Sequence, residues 1–141
     1  RIPALGVGRL EIDACPHAAF PGPIGAIHKA GRSDLAWASY RGGPWRELSP
    51  PRLSTPDELA RRVRTRTLFA GEIDDALAAA LREAVGDRAV IASPAASVRH
   101  AATLAELGFT RLQEGRAAGP ALLRPIYLRP PAIGPQKPPS P

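Results

Sequence analysis

The sequence predicts an α/β fold, a mixed sheet with helices packed on it. Three observations carry that expectation. Leu35–Tyr40 alternates with period two, Leu35, Trp37 and Ser39 on one face and Ala36, Ala38 and Tyr40 on the other. Turn signals bound it on both sides, Gly31-Arg32-Ser33-Asp34 before and Arg41-Gly42-Gly43-Pro44 after. From Ser54 onward the period changes, and short apolar runs alternate with helix-like segments that end at glycine.

The elements follow in order. Val7, Leu10 and Ala14 lie at helical spacing, which reads as a short helix within Gly6–Cys15. The prolines of Pro16–Pro23 must end it, because each lacks an amide hydrogen and fixes φ. The apolar run Ile24–Lys29, the alternating Leu35–Tyr40 and a third strand from Trp45 to Leu48 form an antiparallel meander within Ile24–Leu53. Ser54-Thr55-Pro56-Asp57-Glu58 is a helix start, with a hydroxyl cap, proline in the first turn and acids beside it, so a helix is expected over Pro56–Val63. Thr67–Ala70 is a short strand ending at Gly71. Asp74–Val85 is an alanine-rich helix stopped by Gly86. Ala89–Ala92 is a further strand, and Ser97–Leu107 a helix stopped by Gly108. Leu122–Leu128 is the last ordered element. Pro130–Pro141 holds six prolines in twelve residues and reads as a disordered or polyproline-like tail, so the domain is residues 1–129 and the tail 130–141. The expected core is Ile24, Ala26, Leu35, Trp37, Leu77, Leu81, Val90, Leu104 and Phe109.

Composition narrows the function classes. The 141 residues suit one domain with a core. The chain starts at Arg1 and has no methionine, so it reads as a fragment or a processed product. The net charge is +6, and of the 19 basic residues only Lys29 and Lys137 are lysines. That excess fits either a GC-rich genome or a functional basic face. The single Cys15 excludes an intrachain disulfide and fits a reducing, cytoplasmic setting. No apolar run is long enough to span a bilayer.

Catalytic and cofactor motifs are absent from the sequence. His17, His28 and His100 lack metal-ligand spacing and read as surface or satisfied histidines. Gly6-Val7-Gly8 lacks the full spacing of a phosphate loop, and no Gly-x-Ser-x-Gly elbow exists. Glu72, Asp74 and Asp75 cluster at a strand end, where acids also favour the start of the following helix. Arg61, Arg62, Arg64 and Arg66 form a basic patch without interleaved aromatics; they are candidate phosphate contacts, or simply a solvated face. No catalytic, cofactor-binding or metal-binding residue is expected.

Four stretches together resemble the TsaB (YeaZ) family. "PALGVGRLEIDAC" resembles the family's Pro-containing strand leading into a Gly/Ser-Val-x-x-Leu-Glu helix. "GPIGAIHKAGRSDLAWASYR" resembles its strand-turn-strand, "TLFAGE" its short strand ending in Gly-Asp/Glu, and "LLRPIYLRPP" its closing Pro-x-Tyr-Leu-Arg segment. The family's Asp-Ala-Arg is here His28–Arg32, where only Arg32 matches. The resemblance covers the chain up to Pro131, as the second, C-terminal half of such a protein, without the Asp-Thr-Ser strand of the first.

The resemblance implies an RNase H-like, actin-like (ASKHA) subdomain, akin to the M22 glycoproteases without their metal ligands. It implies a non-catalytic subunit with no cofactor that supports TsaD, the enzyme placing a threonylcarbamoyl group on adenosine 37 of tRNAs reading ANN codons. The partners would be a TsaD-like protein with a TsaE-like ATPase in the complex, tRNA indirectly through that complex, and a second copy in a homodimer, with no membrane. Alternatives are an independent basic RNA-binding module or a diverged glycoprotease-like protein of another role. In the closing segment, Ile126 and Leu128 are expected to pack on the domain. Arg124, Tyr127 and Arg129 would then face outward as candidate partner contacts.

Overall fold

The computed structural model describes residues 2–129. A five-stranded mixed sheet in the order β3-β2-β1-β4-β5 forms the centre. The meander is present: β1 (Ile24–Ala30) pairs antiparallel with β2 (Asp34–Arg41), and β2 antiparallel with β3 (Arg46–Ser54). On the other side of β1, β4 (Thr67–Gly71) and β5 (Ala89–Ile91) add in parallel. The third strand runs well past the expected Leu48, through Pro50 and Pro51. β3 is a sheet edge, where a missing amide hydrogen is tolerated, and its register with β2 shifts at Ser39.

Strand alternation sets the layers. Ile24 and Ala26 of β1, with Ala38 and Tyr40 of β2, face α1 (Arg9–Ala14), where Leu10 and Ala14 pack on them. Ile27, Leu35, Trp37 and Phe69 point the opposite way. There they meet Leu59 of α2 (Pro56–Arg62), Val63 just after it, and Leu77, Leu81 and Val85 of α3 (Asp75–Val85). β1 is therefore covered on both faces, and its first five residues are all buried.

Local chemistry places the helices. Thr55 and Glu58 form a reciprocal capping box: Thr55 Oγ1 accepts from the Glu58 amide at 3.3 Å, and Glu58 Oε2 from the Thr55 amide at 2.9 Å. Asp74 caps α3 by accepting from the Leu77 amide at 2.9 Å, and Gly86 ends it at φ 63°. Gly71 has φ +102°, and a Cβ there would lie 2.3 Å from the Ile27 carbonyl oxygen, so only glycine lets β4 turn away beside β1.

Three expectations are corrected. The helix expected over Ser97–Leu107 is α4 (Ala101–Gln113), and it runs straight through Gly108. An interior glycine costs a helix only about 1 kcal/mol, and the true stop lies seven residues on. Gly115 adopts φ 70°, its amide donates to the Leu112 carbonyl at 3.1 Å, and the Arg116 amide reaches the Arg111 carbonyl at 2.9 Å. These are the two bonds of a Schellman motif. Second, Leu104 (45% exposed) and Phe109 (63% exposed) are outside the core, and Val90 is half-buried on the short edge strand β5. α4 buries none of its residues fully. Third, Leu122–Leu128 forms no strand. Beyond the 3₁₀ turn Pro120–Leu122 no ladder partner among the described residues takes it up, and Ile126 is 71% exposed while Leu128 is half-buried. The proline-rich tail Pro130–Pro141 lies outside the described residues.

Phe69 is 1% exposed and fills the space that Gly25 leaves open, a Cβ on Gly25 falling 2.9 Å from its ring. Phe69→Ala is expected to cost about 3–5 kcal/mol, read as a lower urea midpoint with the slope unchanged.

Candidate functional site

The α1 side of the sheet carries the densest polar chemistry of the chain. Every residue from Leu10 to Ala14 is buried, and two of those five are carboxylates. Each is claimed by an arginine arriving from the C-terminal part. Arg111 of α4 reaches both oxygens of Glu11, at 2.5 and 2.6 Å, while Trp45 Nε1 donates to Oε1 at 3.0 Å. Arg99, just before α4, grips Asp13 with Nε to Oδ1 at 2.8 Å and Nη2 to Oδ2 at 2.9 Å. The period-two alternation of β1 brings His28 to the same face, where its Nε2 meets Asp13 Oδ2. The Asp13 side chain has no exposed surface.

Burial pushes the Asp13 carboxyl up, but the hydrogen bonds from His28 and Arg99 and their charges outweigh it, and the carboxyl sits below its ordinary range. Cys15, two residues on, is pushed up by burial and by the charges of Glu106 and Glu11, which keeps it a thiol. On the opposite edge of α1, Arg9 pairs with Glu72, and Lys29 with Asp74. The acid cluster at the end of β4 thus serves the fold: Asp74 caps α3 and Glu72 ties β4 to α1 and β1.

The residues singled out in the sequence fall in two separate places. Arg61, Arg62, Arg64 and Arg66 are all exposed at the end of α2 and in the loop to β4; the first three line one open cleft and Arg66 stands outside it. Arg124, Tyr127 and Arg129 lie on the closing segment. Arg124 turns its guanidinium onto the Ala121 and Leu123 carbonyls, Arg129 pairs with Asp34 at the start of β2, and Tyr127 is 76% exposed. His28 is satisfied, as expected for a histidine without ligand spacing. Among the described residues no group of three His, Cys, Asp or Glu side chains is placed to hold a metal ion, and no helix is long and apolar enough to cross a membrane. The Glu11–Arg111 and Asp13–Arg99 pairs went unread in the sequence. The signal was two acids, two residues apart, between the buried apolar positions of "RLEIDA".

A solved structure has a similar fold. It is the crystal structure of an uncharacterized protein with similarity to peptidase YeaZ from Pseudomonas aeruginosa, matched with a TM-score of 0.67 at 21% identity over 90% of this chain. That likeness establishes the fold. This chain spans 59% of that neighbour's length. No family model and no curated protein matches the sequence.

Asp13 yields a pH-dependent test. Its folded-state pKa lies below its unfolded value, so its contribution to stability is present at neutral pH and is lost as pH falls through the folded value. Asp13→Asn leaves Arg99 without its counter-charge and is expected to cost about 3 kcal/mol at pH 7. Urea unfolding of parent and variant should show that gap narrowing as pH falls below about 4, the ordinary titration range of aspartate. A gap independent of pH would reject the ionised role.

Proposed function

We propose that this chain is part of a TsaB-like protein, a non-catalytic subunit that supports a TsaD-like enzyme in threonylcarbamoylation of tRNA adenosine. The observation that carries the reading is the fold likeness to the YeaZ-like structure across 90% of the chain, which agrees with the family-like stretches of the sequence. The meander β1–β3 followed by parallel β4 and β5 is also what an RNase H-like, actin-like half would supply. On this reading the chain corresponds to the second half of the longer protein. A TsaE-like ATPase joins the same complex, and tRNA is met through the enzyme partner.

Exposed apolar surface supports a protein partner. Phe109, Leu104 and Leu112 leave α4 with an uncovered apolar face, and Ile126 and Tyr127 stand out from the closing segment between Arg124 and Arg129. Aromatic and arginine side chains together are enriched where proteins meet. The Arg129–Asp34 pair is exposed, so its loss should cost the fold little.

The test is co-purification and calorimetric titration with a TsaD-like protein. The parent chain should bind. Replacing Arg124, Tyr127 and Arg129 together by Ala should leave the melting temperature nearly unchanged and weaken binding about tenfold or more, the scale of one lost hot spot. No association of the parent chain would overturn the proposed role. Unchanged binding by the triple variant would remove only the closing segment from the interface.

A further inference from the structure

We propose that the cleft between the end of α2 and strands β2 and β3 is a binding site for a phosphate group. This is independent of the TsaB-like reading and concerns the side of the sheet opposite α1. The cleft encloses about 440 Å³, within the size range of small-ligand pockets. Arg61, Arg62 and Arg64 line it, together with the hydroxyl residues Ser39, Ser49 and Thr65. No aspartate or glutamate is among the described residues of its lining.

The positive charge here is in excess: Asp57 lines a neighbouring cleft with Arg61 and Arg64 but makes no ion pair with them among the described residues. Arg9, Arg99, Arg111, Arg116 and Arg129 each hold a carboxylate, but none of Arg61, Arg62, Arg64 or Arg66 forms an ion pair among the described residues. Four like charges within six positions repel one another, and an anion between them relieves that repulsion. Arg52 of β3 adds to the field, with its guanidinium carbon 5.6 Å from the centre of the Trp37 ring.

A second observation points the same way. Trp37 also lines the cleft, is 6% exposed, and its indole Nε1–H is buried without a hydrogen-bond partner. Ser54 Oγ is likewise buried and unpartnered in the adjoining cleft, which shares Arg61 and Arg62. Buried polar groups are nearly always satisfied, so two orphans beside one arginine cluster mark a place where acceptor oxygens are missing. Glu58 reaches that adjoining cleft, but its carboxylate is held by the Thr55 amide in the capping box. Guanidinium forks, hydroxyls and an indole N–H are all donors, and a phosphate offers acceptor oxygens on several sides to meet them. A small phosphorylated molecule and an RNA backbone both carry such a group.

The experiment uses the 141-residue chain alone, so it stands apart from any TsaD-like partner. Nitrogen-15 spectra resolve the two indole signals, and Trp45→Phe assigns that of Trp37. Inorganic phosphate, adenosine monophosphate and a short single-stranded RNA are titrated in turn at matched ionic strength. Saturable movement of the Trp37 indole and of the arginine Nε signals is expected with at least one probe. Arg61→Gln with Arg64→Gln, both exposed and so compatible with folding, should weaken it about tenfold or more, while Arg116→Gln on the far side should not. If RNA binds tightest and its salt slope falls in the double variant by about one for each arginine that contacts a phosphate, the source is a nucleic-acid backbone. Equal or tighter binding of the small probes assigns a phosphorylated metabolite. A Trp37 indole that no probe moves, or a double variant that binds as the parent does, overturns the site.

Discussion

Two carboxylates on one buried turn of helix hold the segment around α4 in place. Glu11 and Asp13 sit where α1 is sealed between the sheet and the segment that follows β5, and each is closed off by an arginine from that segment. A buried ion pair gives little net stability, because desolvation offsets much of the attraction. Its value lies in geometry: Arg99 meets Asp13 through two nitrogens and Arg111 meets both oxygens of Glu11 through one, so the two contacts together fix how α4 sits on α1. The consequence is visible on α4 itself. A polar anchor supplies its docking, and its apolar residues are left facing outward.

β1 is the counterpart on the apolar side. It is the one strand that touches both the antiparallel and the parallel halves of the sheet, and both of its faces are covered. Its alternation divides the molecule into two cores of different kind. Under α2 and α3 the contacts are aliphatic and aromatic throughout. Under α1 the same strand presents His28, at the Asp13 pair. One face of the sheet is therefore held by packing, the other by packing together with a charged network.

The sequence was most informative where a local rule decides the outcome. The meander was legible because Leu35–Tyr40 alternates and glycine-rich turns flank it. α2 and α3 were legible because Thr55, Asp74 and Gly86 are capping residues with their own chemistry. Six of the nine expected core residues are buried for the same reason, their periodicity being set by the elements they lie on. The misses are all cases where distance matters. Gly108 looks like a stop, yet only the chain beyond it shows that Gly115 closes the helix. Leu104 and Phe109 have the pattern of a packed stripe, but a pattern does not say what covers it. The Arg99–Asp13 pair joins residues far apart in the chain, and nothing local distinguishes Arg99 from the other arginines. The closing segment was read as a strand from its apolar alternation, although Pro125 removes a donor and no edge of the sheet receives it.

The prolines of β3 have a bearing on recognition. Pairing along an exposed edge is the simplest way for a sheet protein to acquire a neighbour, since backbone groups supply the attraction whatever the side chains are. Pro50 and Pro51 are adjacent, so one of the two missing amide hydrogens falls on the open side of β3, and the register with β2 slips beside Ser39. A second strand could not zip along it continuously. Whatever meets the chain on this side must do so through side-chain surfaces, where shape and charge discriminate, so the edge favours selective partners over indiscriminate self-association.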